Sequence, residues 1–359
     1  MNSLDSICRD GANIDSFEGA VAGFAFQSLR LGLRAFFSTY REMKYSLHLF
    51  EKSHSDKEKD LNTGLRFFDL SAEVVLHFHH FVELIMKDLL RSEHPLLADR
   101  GSGDAVVLKK LLSNEPLSPE EETGVMSIEY REAYKRLMRL IDSGKMSSAC
   151  DLKFFAESST RSFLDKINFL RNRIWHRGTY LLRYDALDQF VCLYFLPLLS
   201  RIVCLDRYSN KEHRWKYGKL ACGFDPLEFL EHECIDYNPG KVAFAKELAL
   251  AAYENPLMGK DGLTGWFDDE ISSRAIAAAH SEKYNVGRFT DCPVCGIKSL
   301  VVYDDVEVVG EDPVTGQYDR AFRYTWQVKC HCCSFEINHH LENGSQYGIP
   351  VEDYWEGEE

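Results

Sequence analysis

No run of the sequence approaches the roughly 18 apolar residues that a membrane-spanning helix takes. The nearest candidate for a leader, Gly19 to Phe26, is short and runs into Gln27 and Arg30. Asp5, Asp10, Asp15 and Glu18 stand where a secretory leader carries positive charge, so the chain reads as cytoplasmic. Basic residues are in deficit: 42 Lys and Arg face 56 Asp and Glu, a net charge of −14. That argues against a broad basic groove, so any nucleic acid has to be held locally. There is no phosphate-binding glycine loop, no G-x-S-x-G and no H-E-x-x-H, and no internal repeat is evident.

What is present is ordinary globular material. At 359 residues, 45% hydrophobic and 27% charged, the chain has enough for about two domains. The 11 cysteines are an odd number. Most, such as Cys192 and Cys204, are scattered in apolar helical sequence and read as small buried hydrophobes. Four fall into two knuckles, Cys292-Pro-Val-Cys295-Gly and Cys330-His-Cys-Cys333, with 34 residues between them. In a cytosolic chain such pairs bind zinc and do not form disulfides. Four thiolates hold Zn2+ tetrahedrally, and Gly296 lets the first knuckle turn back to the metal. Four protein ligands leave no open position, so the zinc is structural. Cys332 is an alternative fourth ligand, and His331 a weaker one.

The sequence between the knuckles is strand-like. LVVYDDVEVV (300–309) and AFRYTWQVK (321–329) are rich in β-branched and aromatic residues, and Gly310 to Pro313 with Thr315-Gly316 supply turns. The pattern predicts a hairpin in a zinc ribbon. Tyr303, Tyr324 and Trp326 could stack bases, but residues 286–336 hold five Lys/Arg against eight Asp/Glu. The ribbon therefore reads better as a sensor of protein or trigger.

Upstream, periodicity predicts helices. Phe17, Val21, Phe24, Leu29, Leu33, Phe36, Phe37 and Tyr40 mark a helix over 14–50 that Gly19, Gly23 and Gly32 should weaken or break. A second runs from Phe67 to Arg91, and another from Pro119 through Met126 to Ile141. A helix over 158–176 carries the stripe Phe163, Ile167, Leu170, Ile174, with Ser158 or Ser159 as cap and Gly178 at its C-terminus. Tyr184 to Val203 is the most apolar helix, and Pro197 should kink it. Shorter helices follow at 226–233, 242–253 and 271–284.

One window carries chemistry: LRNRIWHRG, Leu170 to Gly178. Asn172 and His176 are four apart and share a helix face. Arg171 is five from His176, roughly 140° round at about 100° per residue. On that geometry the two meet in one cleft only if the helix end unwinds or a second helix completes the site. A histidine that titrates near neutrality beside an arginine that keeps its charge suits phosphodiester cleavage. Without chemistry, Arg173, His176 and Arg177 would be a basic helix end that favours the macrodipole. Residues 151–177 hold six Lys/Arg against three acids, a local positive face. The histidines at 77, 79 and 80 read as partly buried, and His232 with Cys222 and Cys234 makes a weaker second metal candidate.

The window resembles the R-N-x-x-x-H motif of the HEPN (higher eukaryotes and prokaryotes nucleotide-binding) family. These are helical bundles in which an earlier helix carries Glu-x-x-x-Lys, matched here by Glu83 and Lys87 in FVELIMKDLL, and in which the histidine helix is followed by a long apolar one. The resemblance covers about residues 60–205. It implies a metal-independent endoribonuclease with Arg171, Asn172 and His176 catalytic. Glu83, Lys87, Arg173 and Arg177 would support the site or bind RNA. It also implies a homodimer with a composite site, products ending in 2′,3′-cyclic phosphate and 5′-hydroxyl, and a toxin or anti-phage role with an antitoxin or trigger protein as partner. The alternative is a non-catalytic HEPN/zinc-ribbon regulatory module. The expected fold is mainly α, a HEPN-like bundle with a small C-terminal β zinc ribbon. Its parts are an N-terminal helical segment (1–60), the HEPN-like domain (61–240), a helical connector (241–285), the ribbon (286–345) and a loosely held acidic tail (346–359).

Overall fold

A computed structural model of the chain describes residues 20–51, 63–178, 180–257, 268–311, 318–355 and 357–358. The N-terminal stretch before residue 20, the charged connection at 52–62 and the hairpin turn at 312–317 lie outside the described residues. The chain is mainly helical with a small antiparallel sheet near its C-terminus. Single-turn helices aside, the elements are α1 (Ala20–Met43), α2 (Leu65–Glu93), α3 (Ala105–Leu112), α4 (Pro119–Thr123), α5 (Tyr130–Asp142), α6 (Ser158–Arg177), α7 (Tyr184–Val203), α8 (Pro226–Glu233), α9 (Pro239–Glu254) and α10 (Asp268–Ser281). The strands are β1 (Val286–Thr290), β2 (Leu300–Glu311), β3 (Tyr318–Cys330), β4 (Glu336–Asn338) and β5 (Gly357–Glu358). They pair antiparallel in the order β1-β2-β3-β4, with the two-residue β5 also on β3.

The chain packs as two units. The first takes Met1–Gly32, Val75–Thr179 and Val203–Trp215. Its core has Phe26 against Phe81 and Tyr208, at ring-centroid distances of 5.9 and 5.6 Å. Gly32 does not break α1, as its helix weakness suggested. A Cβ there would lie 2.6 Å from the Phe78 ring, so the glycine buys close approach of α1 to α2. Asp88 is buried beneath Arg207 (2.6 and 3.1 Å) and the Tyr208 hydroxyl (2.8 Å).

The expected continuous helix from Pro119 to Ile141 is two helices. α4 starts with a capping box, Ser118 paired reciprocally with Glu121, and stops at Thr123. The chain then extends, Ser127 bridges Asp99, and α5 begins afresh at Tyr130. The cap of α6 is Glu157, not Ser158 or Ser159, and its side chain makes no capping bond.

The second unit takes Leu33–Val74, Tyr180–Ile202 and Lys216–Glu359. α9 is buried along nearly its whole length, Lys246 and Glu247 included. Those two charges are paired. Lys246 donates to Asp188 and to Thr39 (2.9 Å), and sits over the rings of Tyr184 and Phe36 at 4.1 and 4.4 Å. Burial raises Asp188 to about 6 despite its lysine. Glu247 accepts from Arg41 at 2.7 and 3.0 Å and from the Glu336 backbone N–H at 2.8 Å.

α7 contains a π turn over Val191–Phe195, where the Leu196 N–H reaches the Val191 carbonyl. Pro197 follows at once, and its missing N–H disturbs the ladder there. By length and composition α7 is the one described helix apolar enough to cross a membrane, although half of it is buried in the fold. It is the span that the sequence marks as its most apolar helix, with Asp188, Gln189 and Arg201 interrupting the apolar run.

Residues 346–355 are not a loose tail. Ile349, Val351 and Tyr354 are buried, Tyr347 packs on Phe244, and Asn343 accepts from the Tyr354 and Trp355 N–H groups at 2.9 and 3.0 Å. Apolar residues between the acids outweigh the charge that suggested solvation.

Candidate active site and metal centre

The buried stripe Phe163, Leu164, Ile167 and Leu170 anchors α6 in the first unit. Its last turn carries the polar window. Gly178 takes φ 61°, and its N–H reaches the carbonyls of Arg173 (3.1 Å) and Ile174 (3.2 Å), closing the helix. The helix stays intact through Arg177, yet Arg171 Nη1 donates to Asn172 Oδ1 at 3.0 Å and to His176 Nε2 at 3.3 Å. The expectation that Arg171 and His176 need an unwound end or a second helix to meet is therefore corrected. The angle of about 140° places Cα atoms, but the long arginine stem bridges it. A guanidinium only donates, so Nε2 is the acceptor.

These three residues line a cavity of about 480 Å³ together with His79, Glu83, Glu129, Tyr130, Arg131 and Asn168. Its buried floor is made of His79, Tyr130 and Asn168. The His79 ring stacks on Tyr130 at 4.3 Å between centroids, and its Nε2 lies 3.3 Å from Asn168 Oδ1. An amide oxygen accepts, so Nε2 carries the proton. Burial lowers His79 to about 4; Glu83 opposes that shift, and the charge of Arg171 adds to it. The Tyr130 hydroxyl donates to the Leu164 carbonyl at 2.9 Å, tying α5 to α6.

Glu83 and Lys87, four apart on α2, form an ion pair at 2.7 Å, and Glu83 lines the cavity while Lys87 does not. Arg173 and Arg177 are outside the lining. Arg173 lies over the half-exposed Phe169 ring at 5.3 Å, and Arg177 is exposed. His80 pairs with Ser28 Oγ at 2.8 Å, so the three α2 histidines do not converge on one metal.

Sequence reasoning missed Asn168, Tyr130, Glu129 and Arg131. Asn168 had a signal, being four residues before Asn172 on the same face. The others had none, because they enter the cleft only through the break between α4 and α5.

In the second unit the Sγ atoms of Cys292, Cys295, Cys330 and Cys333 all lie within 4.8 Å of one another. Cys292–Cys333 is 3.5 Å and Cys295–Cys330 is 3.6 Å. A tetrahedron with Zn–S bonds near 2.3 Å has S···S edges of about 3.8 Å, so the set fits a zinc ion. Residues after each knuckle, Gly296 (φ 75°) and Ser334 (φ 64°), are left-handed, which folds each loop back. The backbone N–H groups of Val294 and Cys332 point at Cys292 and Cys330 sulfurs at 3.4 and 3.3 Å. Cys333, not Cys332, completes the four. His331 turns to the Tyr303 hydroxyl at 3.2 Å and Glu282 at 3.6 Å. Among the described residues no metal-type cluster joins Cys222, His232 and Cys234.

Comparison with protein-family models found no match, and comparisons with curated proteins and with solved structures found none either.

Proposed function

We propose that the chain is an endoribonuclease of HEPN type. The RNA 2′-hydroxyl attacks the adjacent phosphorus, the O2′–P bond forms and the P–O5′ bond breaks. The products carry a 2′,3′-cyclic phosphate and a 5′-hydroxyl. His176 moves the proton at O2′ or at the leaving O5′, Arg171 neutralises charge on the non-bridging oxygens, and Asn172 holds the guanidinium in place. The observation that carries this reading is the Arg171 guanidinium bonded to both Asn172 and His176 at the wall of a cleft. Glu83 and Lys87 brace the floor beneath it.

The active form in this reading is a homodimer that brings two such sets together. Phe169 (51% exposed) and Trp175 (65%) on α6 supply apolar area for that contact. The ribbon holds structural Zn2+ through its four cysteines and serves as the docking element for an antitoxin or trigger protein.

The test is cleavage of mixed RNA by the purified protein, with and without magnesium, beside Arg171→Ala and His176→Ala. Expected are cyclic-phosphate ends from the wild type and at least a hundredfold loss in either variant. Equal cleavage by all three proteins, or 3′-hydroxyl ends, would refute the assignment.

A further inference from the structure

The charges around the cleft do not balance locally. Glu83 is held by Lys87 at 2.7 Å, and Glu129 by Arg100 at 3.0 Å, so both lining carboxylates already have cations. Among the described residues neither lining arginine is paired with a carboxylate. Arg171 bonds Asn172 and His176 through Nη1, only part of its five-donor fork, and among the described residues Arg131 has no ion pair. Arg131 sits in the first turn of α5, exposed, on the cavity wall contributed by that helix. In a chain of net charge −14, two guanidinium groups that face one cavity of about 480 Å³, while both of its carboxylates are paired with other cations, are a feature that calls for an anionic ligand.

We propose that Arg131 is a second phosphate-binding residue of the cleft, so that one chain seats a backbone phosphate of single-stranded RNA between Arg131 and Arg171. This rests on the reading that the cleft takes RNA, and it extends it: a single chain binds the phosphate, whatever a second copy adds to the chemistry. Glu129, the residue preceding α5, keeps its carboxylate on Arg100 and so leaves Arg131 to the ligand. The buried His79, held neutral, adds no charge at the floor.

The experiment measures binding of a 2′-O-methyl RNA oligonucleotide by fluorescence anisotropy over a salt series. Its nucleophile is blocked, so binding is read without cleavage. Arg131→Ala should weaken binding about tenfold, and the slope of log K against log salt should shrink by about 0.7, one single-strand phosphate contact. Arg131→Lys should keep the slope and recover part of the affinity. Arg139→Ala, two turns along α5 and off the cavity, should match the wild type. Inorganic phosphate should displace the oligonucleotide from the wild type and less effectively from Arg131→Ala. If Arg131→Ala behaves as Arg139→Ala, or if the wild type does not bind the oligonucleotide, the inference is overturned. A binding-competent protein that leaves unmodified RNA intact would instead defeat the nuclease reading and leave this one standing.

Discussion

Replacing His79 with glutamine should remove a pH dependence of stability. Burial keeps the His79 imidazole neutral down to about 4, whereas in the unfolded chain it takes a proton near the ordinary imidazole value of 6.5. Between those values the unfolded state binds more protons, so stability is full above pH 6.5 and is lost as pH falls toward 4. At about 1.4 kcal/mol per unit, the loss is roughly 2.5 kcal/mol by pH 4.5, approaching a limit of about 3.4 kcal/mol at lower pH. Glutamine can still donate to Asn168 Oδ1, so the change targets the charge more than the hydrogen bond. The charged or titratable neighbours of the ring are Glu83 on its own helix, with Oε2 at 3.9 Å, the adjacent His80, and Arg171 from α6. Urea denaturation of wild type and His79→Gln at pH 7 and pH 4.5 gives a difference of differences in which other carboxylates cancel. The wild type should lose about 2.5 kcal/mol more than the variant over that interval. Identical pH slopes for the two proteins would show that His79 is solvated or charged in the fold, and would defeat the account of the cavity floor.

Other outcomes follow from the same physics. Chelation, or Cys295→Ser, should release one zinc per chain and unfold the ribbon, read by metal analysis with a fall in melting temperature; full retention of structure in metal-free protein would contradict the tetrathiolate assignment. Gly32→Ala should destabilise the first unit by about 1–3 kcal/mol, because the new methyl meets the Phe78 ring; a neutral or stabilising result by urea titration would mean that α1 and α2 can separate freely. Lys246→Met should cost about 3–5 kcal/mol by leaving Asp188 buried without its cation, and adding Asp188→Leu should recover most of it; no recovery in the double variant would point to a role beyond pairing.

Local pattern carried a good deal of this protein. The helices at 158–176 and 67–91 lie within two residues of the observed α6 and α2, since a 3.6-residue apolar stripe has one stable way to be buried. Gly178 capped α6 in the left-handed conformation that a glycine allows. The knuckles and the intervening hairpin followed from residue types and spacing alone. Fully buried polar residues misled the reading. The alanine-rich stretch 242–253 looked like a modest connector helix. Its charges are tolerated in the interior only because partners distant in sequence, Asp188 and Arg41, neutralise them.

The sequence alone determined the chemistry on offer: an arginine, an asparagine and a histidine on one helix end, and four thiols in two knuckles. Those are near neighbours in the chain, and helix or turn geometry sets their spacing. Only the tertiary structure decided that the arginine reaches the histidine within one chain, that Cys333 and not Cys332 closes the thiol set, and that His79 and Arg131 stand in the same cleft. The first depends on the reach of one arginine side chain along its own helix; the other two join residues about 40 to 100 positions apart, brought together by burial of apolar faces that no local period specifies.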